Sequence, residues 1–275
     1  MNVHVRCLGP LRSGGNADLQ IGLRSDTGER VVVKFLREFQ SSHARKAFAR
    51  EIRILGRNLP GMMRILFFNT DGERPYYVMP FLTGGSLTRY AGRLSDEQLL
   101  AVAVDMAQSL AILHANHVAH GDIKPDNILV SDDGKLQVAD PLGNGIGCTV
   151  FFSQNHGGTP GYWAPEILDG KPISQAGDIY SYGTTLFHML TGQKPADGQR
   201  FDLALRRFDK APRIRETIIR CCHLDPAVRP NIQETLRLLN GETWEQIEKR
   251  RQEQRELTGV LALGLLGLLG FALSG

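Results

Sequence analysis

Residues 120–127 read H-G-D-I-K-P-D-N and run straight into the apolar Ile128, Leu129 and Val130. An aspartate, a lysine two residues on and an asparagine five residues on place three different polar groups within one short loop. Taken alone, that spacing fits an Asx-rich turn between a helix and a strand. It equally fits a loop that positions a hydroxyl beside a magnesium-bound phosphate, and the flanking sequence must decide.

Downstream, the strand at 128–130, the turn D-D-G-K at 132–135 and a short strand at 136–139 lead to Asp140. Two strand ends therefore present Asn127 and Asp140 near one another, as a hard cation such as Mg²⁺ requires of its oxygen ligands. Residues 141–158 hold five glycines and little apolar periodicity, so a long mobile loop is expected. The segment G-T-P-G-Y-W-A-P-E at 158–166 closes it. Helices are then expected at 178–190, 214–222 and 232–239, the last two flanking the turn D-P-A-V-R-P at 225–230.

Upstream, Ser95 with Gln98 forms a capping box ahead of a helix whose apolar face carries Leu99, Val102, Met106, Leu110 and Leu113. Before it the pattern is β-rich. Leu19, Ile21 and Leu23 alternate with polar or small residues, S-D-T-G-E-R makes a hairpin turn, and 31–36 is a second strand. Further strands are expected at 63–68 and 76–79. Ser13, Gly14, Gly15 and Asn16 precede the first strand, either as a surface turn or as a glycine-rich loop that brings backbone amides to phosphates. Lys34 ends a triple-valine run and is either an edge-strand charge or a buried cation with an anionic partner. A helix at 42–57 carries Phe48, Ile52 and Leu55 on one stripe, with Glu51 about 40 to 60 degrees from it. An inward glutamate wants a cation, and Lys34 is available. The chain thus divides into a β lobe at 1–82 and a helical lobe at 83–241, with a hinge at 83–85 and a crevice between them for a cofactor.

The 275 residues are 42% hydrophobic and 22% charged, ordinary globular values, and a net charge of +3 without a basic cluster argues against a nucleic-acid partner. Four irregularly spaced cysteines indicate neither a disulfide framework nor a zinc site and fit a reduced, cytosolic setting. No apolar run of signal-peptide length opens the chain. At the other end, residues 257–275 contain no charge in 19 residues, and as a helix they span roughly 28 Å, close to a bilayer core. A terminal core helix would show a polar face, and this stretch has none. A single-pass transmembrane helix is therefore expected. Lys249, Arg250, Arg251 and Arg255 lie just before it and place the main body on the cytoplasmic side. Residues 242–256 then read as a solvated, charged helical linker. Gly264, Gly267 and Gly270, with the small pairs Thr258/Ala262 and Gly270/Ser274, suit pairing of two such helices into a homodimer.

Taken together, these motifs resemble the eukaryotic-type serine/threonine protein kinase superfamily over about residues 8–240, in the family's order. The resemblance implies an α+β bilobal kinase fold: a small antiparallel β lobe with one helix, and a larger, mainly helical lobe. It implies ATP and Mg²⁺ as cofactors and a protein substrate. Lys34 would hold the ATP phosphates with Glu51 as its helix partner. Asp122 would orient or accept the proton of the substrate hydroxyl, Lys124 would steady the γ-phosphate, and Asn127 and Asp140 would bind the metal. Gly14 and Gly15 would cover the phosphates. Met79 would be the gatekeeper before a hinge at Pro80, Phe81 and Leu82, and Leu19, Val32 and Leu129 would sandwich the adenine. Arg229 would pair with Glu166 of A-P-E, and Asp178 would brace the catalytic loop.

Three departures stand out. Residues 12–17, R-S-G-G-N-A, keep only the middle glycine of G-x-G-x-x-G. Gly121 replaces the catalytic-loop arginine, which disfavours control by phosphorylation at Thr149 or Ser153. D-F-G reads Asp140, Pro141, Leu142 and Gly143, where proline fixes φ and Leu142 is expected to supply the apolar contact. The expectation is a membrane-anchored Ser/Thr protein kinase; the alternatives are a pseudokinase scaffold and a small-molecule kinase. Lys124 and G-T-P-G-Y-W-A-P-E argue against the last.

Overall fold

The computed structural model describes residues 5–13, 17–37, 42–142 and 161–272, of which 12, 13, 43 and 259–272 are described by their backbone alone. The first strands are β1 (Val5–Ser13), β2 (Ala17–Arg24) and β3 (Arg30–Leu36), followed by α1 (Ser42–Leu55), β4 (Phe67–Asn69) and β5 (Tyr76–Pro80). The strands form one antiparallel sheet in the order β1-β2-β3-β5-β4. β3 is central, which settles the question about Lys34: it is a buried cation and not an edge charge. Period-2 alternation explains the triple valine. Val31 and Val33 pack with Val78 on one face of the sheet, while Val32 and Leu36 join the core that receives α1. Phe48, Ile52 and Leu55 form the buried stripe of α1, as their spacing predicts.

The strand expected at 63–68 joins the sheet only near its end, where the Leu66 amide donates to the Val78 carbonyl at 2.8 Å and β4 begins at Phe67. Ahead of it the chain crosses to the second lobe: Met62 bridges Val138 in parallel, the Met63 amide donates to the Val138 carbonyl at 2.8 Å, and the Val138 amide donates to the Gly61 carbonyl at 2.8 Å. Backbone hydrogen bonds thus tie the lobes together two residues before Asp140.

In the second lobe β6 (Gly85–Ser86) leads to α2 (Asp96–Ala115), then β7 (Ile128–Val130) and β8 (Leu136–Val138). These strands pair as a small sheet in the order β6-β7-β8. The capping box at Ser95 forms in full, with both reciprocal bonds to Gln98. The remaining helices are α3 (Pro165–Leu168), α4 (Gln175–Thr191), α5 (Phe201–Ala204), α6 (Pro212–Cys221), α7 (Ile232–Leu239) and α8 (Trp244–Ala272). α4 is buried from Gly177 to Leu190 between α2 and α6. α2 is long and apolar enough to cross a membrane, but Leu99, Ala103, Met106 and Leu110 are buried within the lobe.

α8 corrects one expectation. Residues 242–256 are not a fully solvated linker, because Ile247 is buried and Arg251 donates to Glu234 at 2.6 and 2.8 Å and to the Arg229 carbonyl at 2.8 Å. Trp244 lies within cation–π reach of Arg220 and Arg251, at 5.0 and 4.9 Å. The first two turns dock on the lobe, and the same helix continues to Ala272.

Candidate active site

The upper half of the site follows from strand register. Lys34 on β3 stands opposite Tyr77 on β5, and Val32 opposite Met79, so four side chains two residues apart share one face. α1 turns Glu51 onto that face. The Lys34 Nζ donates to Glu51 Oε1 at 2.6 Å and to Asp140 Oδ1 at 3.0 Å, while the Tyr77 hydroxyl donates to the same Glu51 oxygen at 2.7 Å. Lys34 and Glu51 are each 8% exposed.

The electrostatics of this cluster are those of a buried, charge-paired group. Burial opposes the Lys34 charge, but the carboxylates of Asp140 and Glu51 outweigh it and hold the ammonium above its usual value. For Glu51 burial is the largest cause and pushes it up to about 7, with Lys34 opposing and Asp140 reinforcing. Asp140 also feels burial, yet Lys34 brings it below the usual carboxylate range. Two carboxylates converge on one ammonium, an imbalance that a hard cation beside Asp140 would relieve.

The lower half is the 120–127 loop. Buried Asp178 on α4 accepts from the His120 amide at 2.7 Å, the Gly121 amide at 2.8 Å and His114 Nε2 at 2.9 Å, which fixes the start of the loop. His120 Nε2 lies 2.9 Å from the Ala139 carbonyl and must donate, so its Nδ1 is free to accept the Asp122 amide at 3.2 Å. Burial pushes the His120 imidazole below its usual pKa, in keeping with that neutral form. Lys124 Nζ bonds both Asp122 carboxylate oxygens, at 3.0 and 2.8 Å. Asn127 donates through Nδ2 to the Asp122 carbonyl at 2.9 Å and to its Oδ2 at 2.7 Å. With Asn127's nitrogen so committed, its oxygen is the atom that remains to meet a cation.

The two halves are joined by backbone. The Ala139 amide donates to the Asn127 carbonyl at 2.8 Å and the Leu142 amide to the His120 carbonyl at 2.7 Å. Asp140 between them has φ +60°, a left-handed conformation uncommon for a residue with a side chain. Pro141 is the buried residue of this turn and Leu142 is 36% exposed, so the apolar filling expected of Leu142 falls to the proline. Arg229 grips Glu166 through its two terminal guanidinium nitrogens at 2.6 and 2.7 Å.

The sequence-predicted residues are thus brought into two hydrogen-bonded groups: Lys34 and Glu51 of the first lobe with Asp140 of the second, and Asp122, Lys124 and Asn127 within the 120–127 loop. Val32 and Met79 are buried above them, with Leu19, Phe81, Leu82 and Leu129 half-buried against the same core. The Phe81 ring lies under the Arg30 guanidinium, 4.7 Å away. Gly14, Gly15, Gly143, Thr149, Ser153 and the loop expected at 141–158 beyond Leu142 lie outside the described residues. Sequence reasoning missed Tyr77, whose hydroxyl holds Glu51; its place opposite Lys34 becomes visible only with the strand register.

The donor set fits Mg²⁺ bound together with phosphates. Among the described residues no cluster of three or more His, Cys, Asp or Glu forms an all-protein metal cage, whereas one carboxylate and one amide oxygen suit a magnesium ion that takes its other ligands from phosphate and water.

A family model of the protein kinase domain matches residues 7–258. The chain is similar to the serine/threonine-protein kinase pkn2 of Myxococcus xanthus, 31% identical over 206 residues that cover 70% of this chain and 25% of that protein. It is similar to the DNA damage-responsive serine/threonine-protein kinase RqkA of Deinococcus radiodurans, 29% identical over 68% of this chain and 30% of that protein. It is also similar to the serine/threonine-protein kinase PkaA of Streptomyces coelicolor, 30% identical over 82% of this chain and 45% of that protein. The chain therefore spans between a quarter and just under half the length of these relatives.

Proposed function

The chain belongs to the protein kinase domain family, and on that premise we propose that it transfers the γ-phosphoryl group of ATP to serine or threonine hydroxyls of a protein. The observation that carries this reading is the buried contact of Lys34 with both Glu51 and Asp140, at 2.6 and 3.0 Å. It supports the reading because the cation that would hold the phosphates and the carboxylate that would hold the metal lie in contact.

In this mechanism Asp122 receives the substrate hydroxyl's hydrogen bond and orients its oxygen toward the phosphorus. Lys124, already on the Asp122 carboxylate, offsets charge on the transferred phosphoryl. Lys34 holds the non-transferred phosphates, while Glu51 and Tyr77 hold Lys34. Asn127 and Asp140 would bind Mg²⁺, which supplies charge neutralisation between the phosphates. Little covalent chemistry falls to the protein, so positioning and electrostatics carry the rate.

The pseudokinase alternative draws on the sparse glycines at 12–17 and on D-P-L-G. Incubating the full-length chain in detergent with MgATP and either a generic basic protein or small alcohols separates the readings. Phosphoserine or phosphothreonine on protein is the expected product. Phosphorylated alcohols alone would support a small-molecule kinase, and no product at all a scaffold.

The membrane anchor belongs to the same proposal. The uncharged composition of 257–275, the basic residues before it and the unbroken helical course of α8 to Ala272 support a single-pass span with the kinase domain cytoplasmic. Glycines 264, 267 and 270 support pairing into a homodimer. The protein is expected to stay in the membrane pellet after alkaline carbonate extraction and to crosslink as a dimer; release into the supernatant would contradict the anchor, and monomers alone the pairing.

A further inference from the structure

The turn at 223–230, between α6 and α7, is held from the inside. Buried Arg229 donates through Nε to the His223 carbonyl at 2.8 Å and through a terminal nitrogen to the Leu224 carbonyl at 3.2 Å. The Val228 amide donates to the Asp225 carbonyl at 3.2 Å. The backbone of the turn is thus fixed on the lobe, while two of its apolar side chains are left in solvent: Leu224 is 65% exposed and Val228 38%. Scattered apolar residues are normal on a protein surface, so exposure alone assigns no partner. Their position does.

α8 passes directly beside this turn, where Arg251 donates to the Val228 carbonyl at 3.3 Å and to the Arg229 carbonyl at 2.8 Å. Six residues further on, Leu257 opens the uncharged stretch 257–275, and the helix is unbroken between the two. At 1.5 Å per residue the rise from Arg251 to Leu257 is about 9 Å. The headgroup layer on each side of a bilayer core is about 5 to 8 Å thick. With Leu257 at the edge of the core, Arg251 and the turn it holds therefore stand at the outer margin of the headgroups. A tilt of the span toward the turn brings it closer still.

We propose that the 223–230 turn is a second membrane contact, in which Leu224 and Val228 enter the headgroup–acyl boundary of the bilayer that α8 crosses. This rests on the membrane-anchor reading of 257–275. The contact is apolar and not electrostatic. Between Trp244 and Glu256, α8 carries four acidic residues (Glu245, Glu248, Glu253, Glu256) and four basic ones (Lys249, Arg250, Arg251, Arg255), so its attraction to anionic lipid cancels. A rigid helix and a turn fixed to it make two points of attachment, which set the orientation of the second lobe to the membrane.

The test uses the full-length chain with Cys7→Ser and Cys148→Ser, reconstituted in vesicles of phosphatidylcholine alone; Cys221 and Cys222 are buried. A fluorophore is attached at Leu224→Cys or, as a control, at Phe68→Cys, an exposed position on β4. Lipid with a nitroxide just below the headgroup is expected to quench the label at 224 at least about twofold more than the label at 68, and added salt to leave this unchanged. Seven helix-forming residues inserted after Gln254 nearly preserve the helical face and lift the turn by about 10 Å, which is expected to abolish the difference. Equal quenching at 224 and 68 in chains that float with the vesicles overturns the proposal and leaves the anchor standing. So does quenching at 224 that salt removes or that survives the insertion. Disulfides joining unlabelled Leu224→Cys copies, without quenching by lipid, assign the turn to a second copy and overturn it as well. A chain that does not float with the vesicles overturns both the proposal and the anchor.

Discussion

Lys34 bridges two carboxylates and lies 5.6 Å above the Tyr77 ring, so its removal leaves Glu51 and Asp140 without their shared cation. Glu51, pushed up to about 7 by burial, can then take a proton and stay buried at modest cost. Lys34→Met is therefore expected to remain folded while losing phosphotransfer by at least about a hundredfold, comparable to deleting one preorganised electrostatic contact. Thermal unfolding beside a transfer assay checks it; lost activity with lost folding would put Lys34's role in stability instead. At this scale the sequence was partly transparent. The 16-residue helix expected at 42–57 placed Glu51 inward and named Lys34 as its partner, and the structure joins them. Tyr77 was opaque, because its hold on Glu51 depends on a strand register that no local pattern reveals.

Among the elements, α8 is the one whose sequence misled. A run of Glu, Lys and Arg reads as solvated, yet Trp244, Ile247 and Arg251 recur at i, i+3 and i+7 and make an inward stripe. The stripe is short and ends on an arginine, so the charged majority masks it. Its anchor is the fork of Arg251 on Glu234, which also completes the capping box of α7 with Asn231. Burial works to raise the Glu234 pKa, but Arg251 outweighs it and holds the carboxyl below its usual value of 4.5. A carboxyl with a lowered folded pKa stabilises the fold above its unfolded pKa, and that contribution fades as pH falls through the folded one. Glu234→Gln should thus lower the unfolding temperature at pH 7 and flatten its decline below about pH 4.5. Parallel melting curves from pH 7 to pH 3 would remove α8 docking as a pH-linked contact. The same segment reaches the Arg229 carbonyl, so α8 touches the residue that grips Glu166.

For the molecule as a whole, the β-rich first lobe and the helical second lobe were legible in local patterns, whereas the roles of the chemical groups came from the resemblance to the kinase superfamily. Alternation gave the sheet, the capping box gave α2, and the polar spacing from His120 to Asn127 gave the loop. The crossing at Met62 and Met63 was not legible, since an apolar run reads as one strand whether it pairs with β5 or with β8. That crossing nonetheless matters to the site, because it fixes Val138 two residues before Asp140. The lobes are thus registered to each other by backbone bonds close to Asp140. This explains how Lys34 and Asp140, 106 residues apart, meet at 3.0 Å.

The most direct test of the account compares the full-length chain with Asp122→Asn in MgATP, following phosphate incorporation into protein by mass spectrometry. Asp122 touches Lys124 and Asn127 but lies outside the core, so the variant should fold and keep the Lys34, Glu51 and Asp140 contacts. Time-dependent phosphoserine or phosphothreonine in the wild type, reduced at least about a hundredfold in Asp122→Asn, is the predicted result. Equal incorporation in the two proteins, or none in a folded wild type, would contradict it.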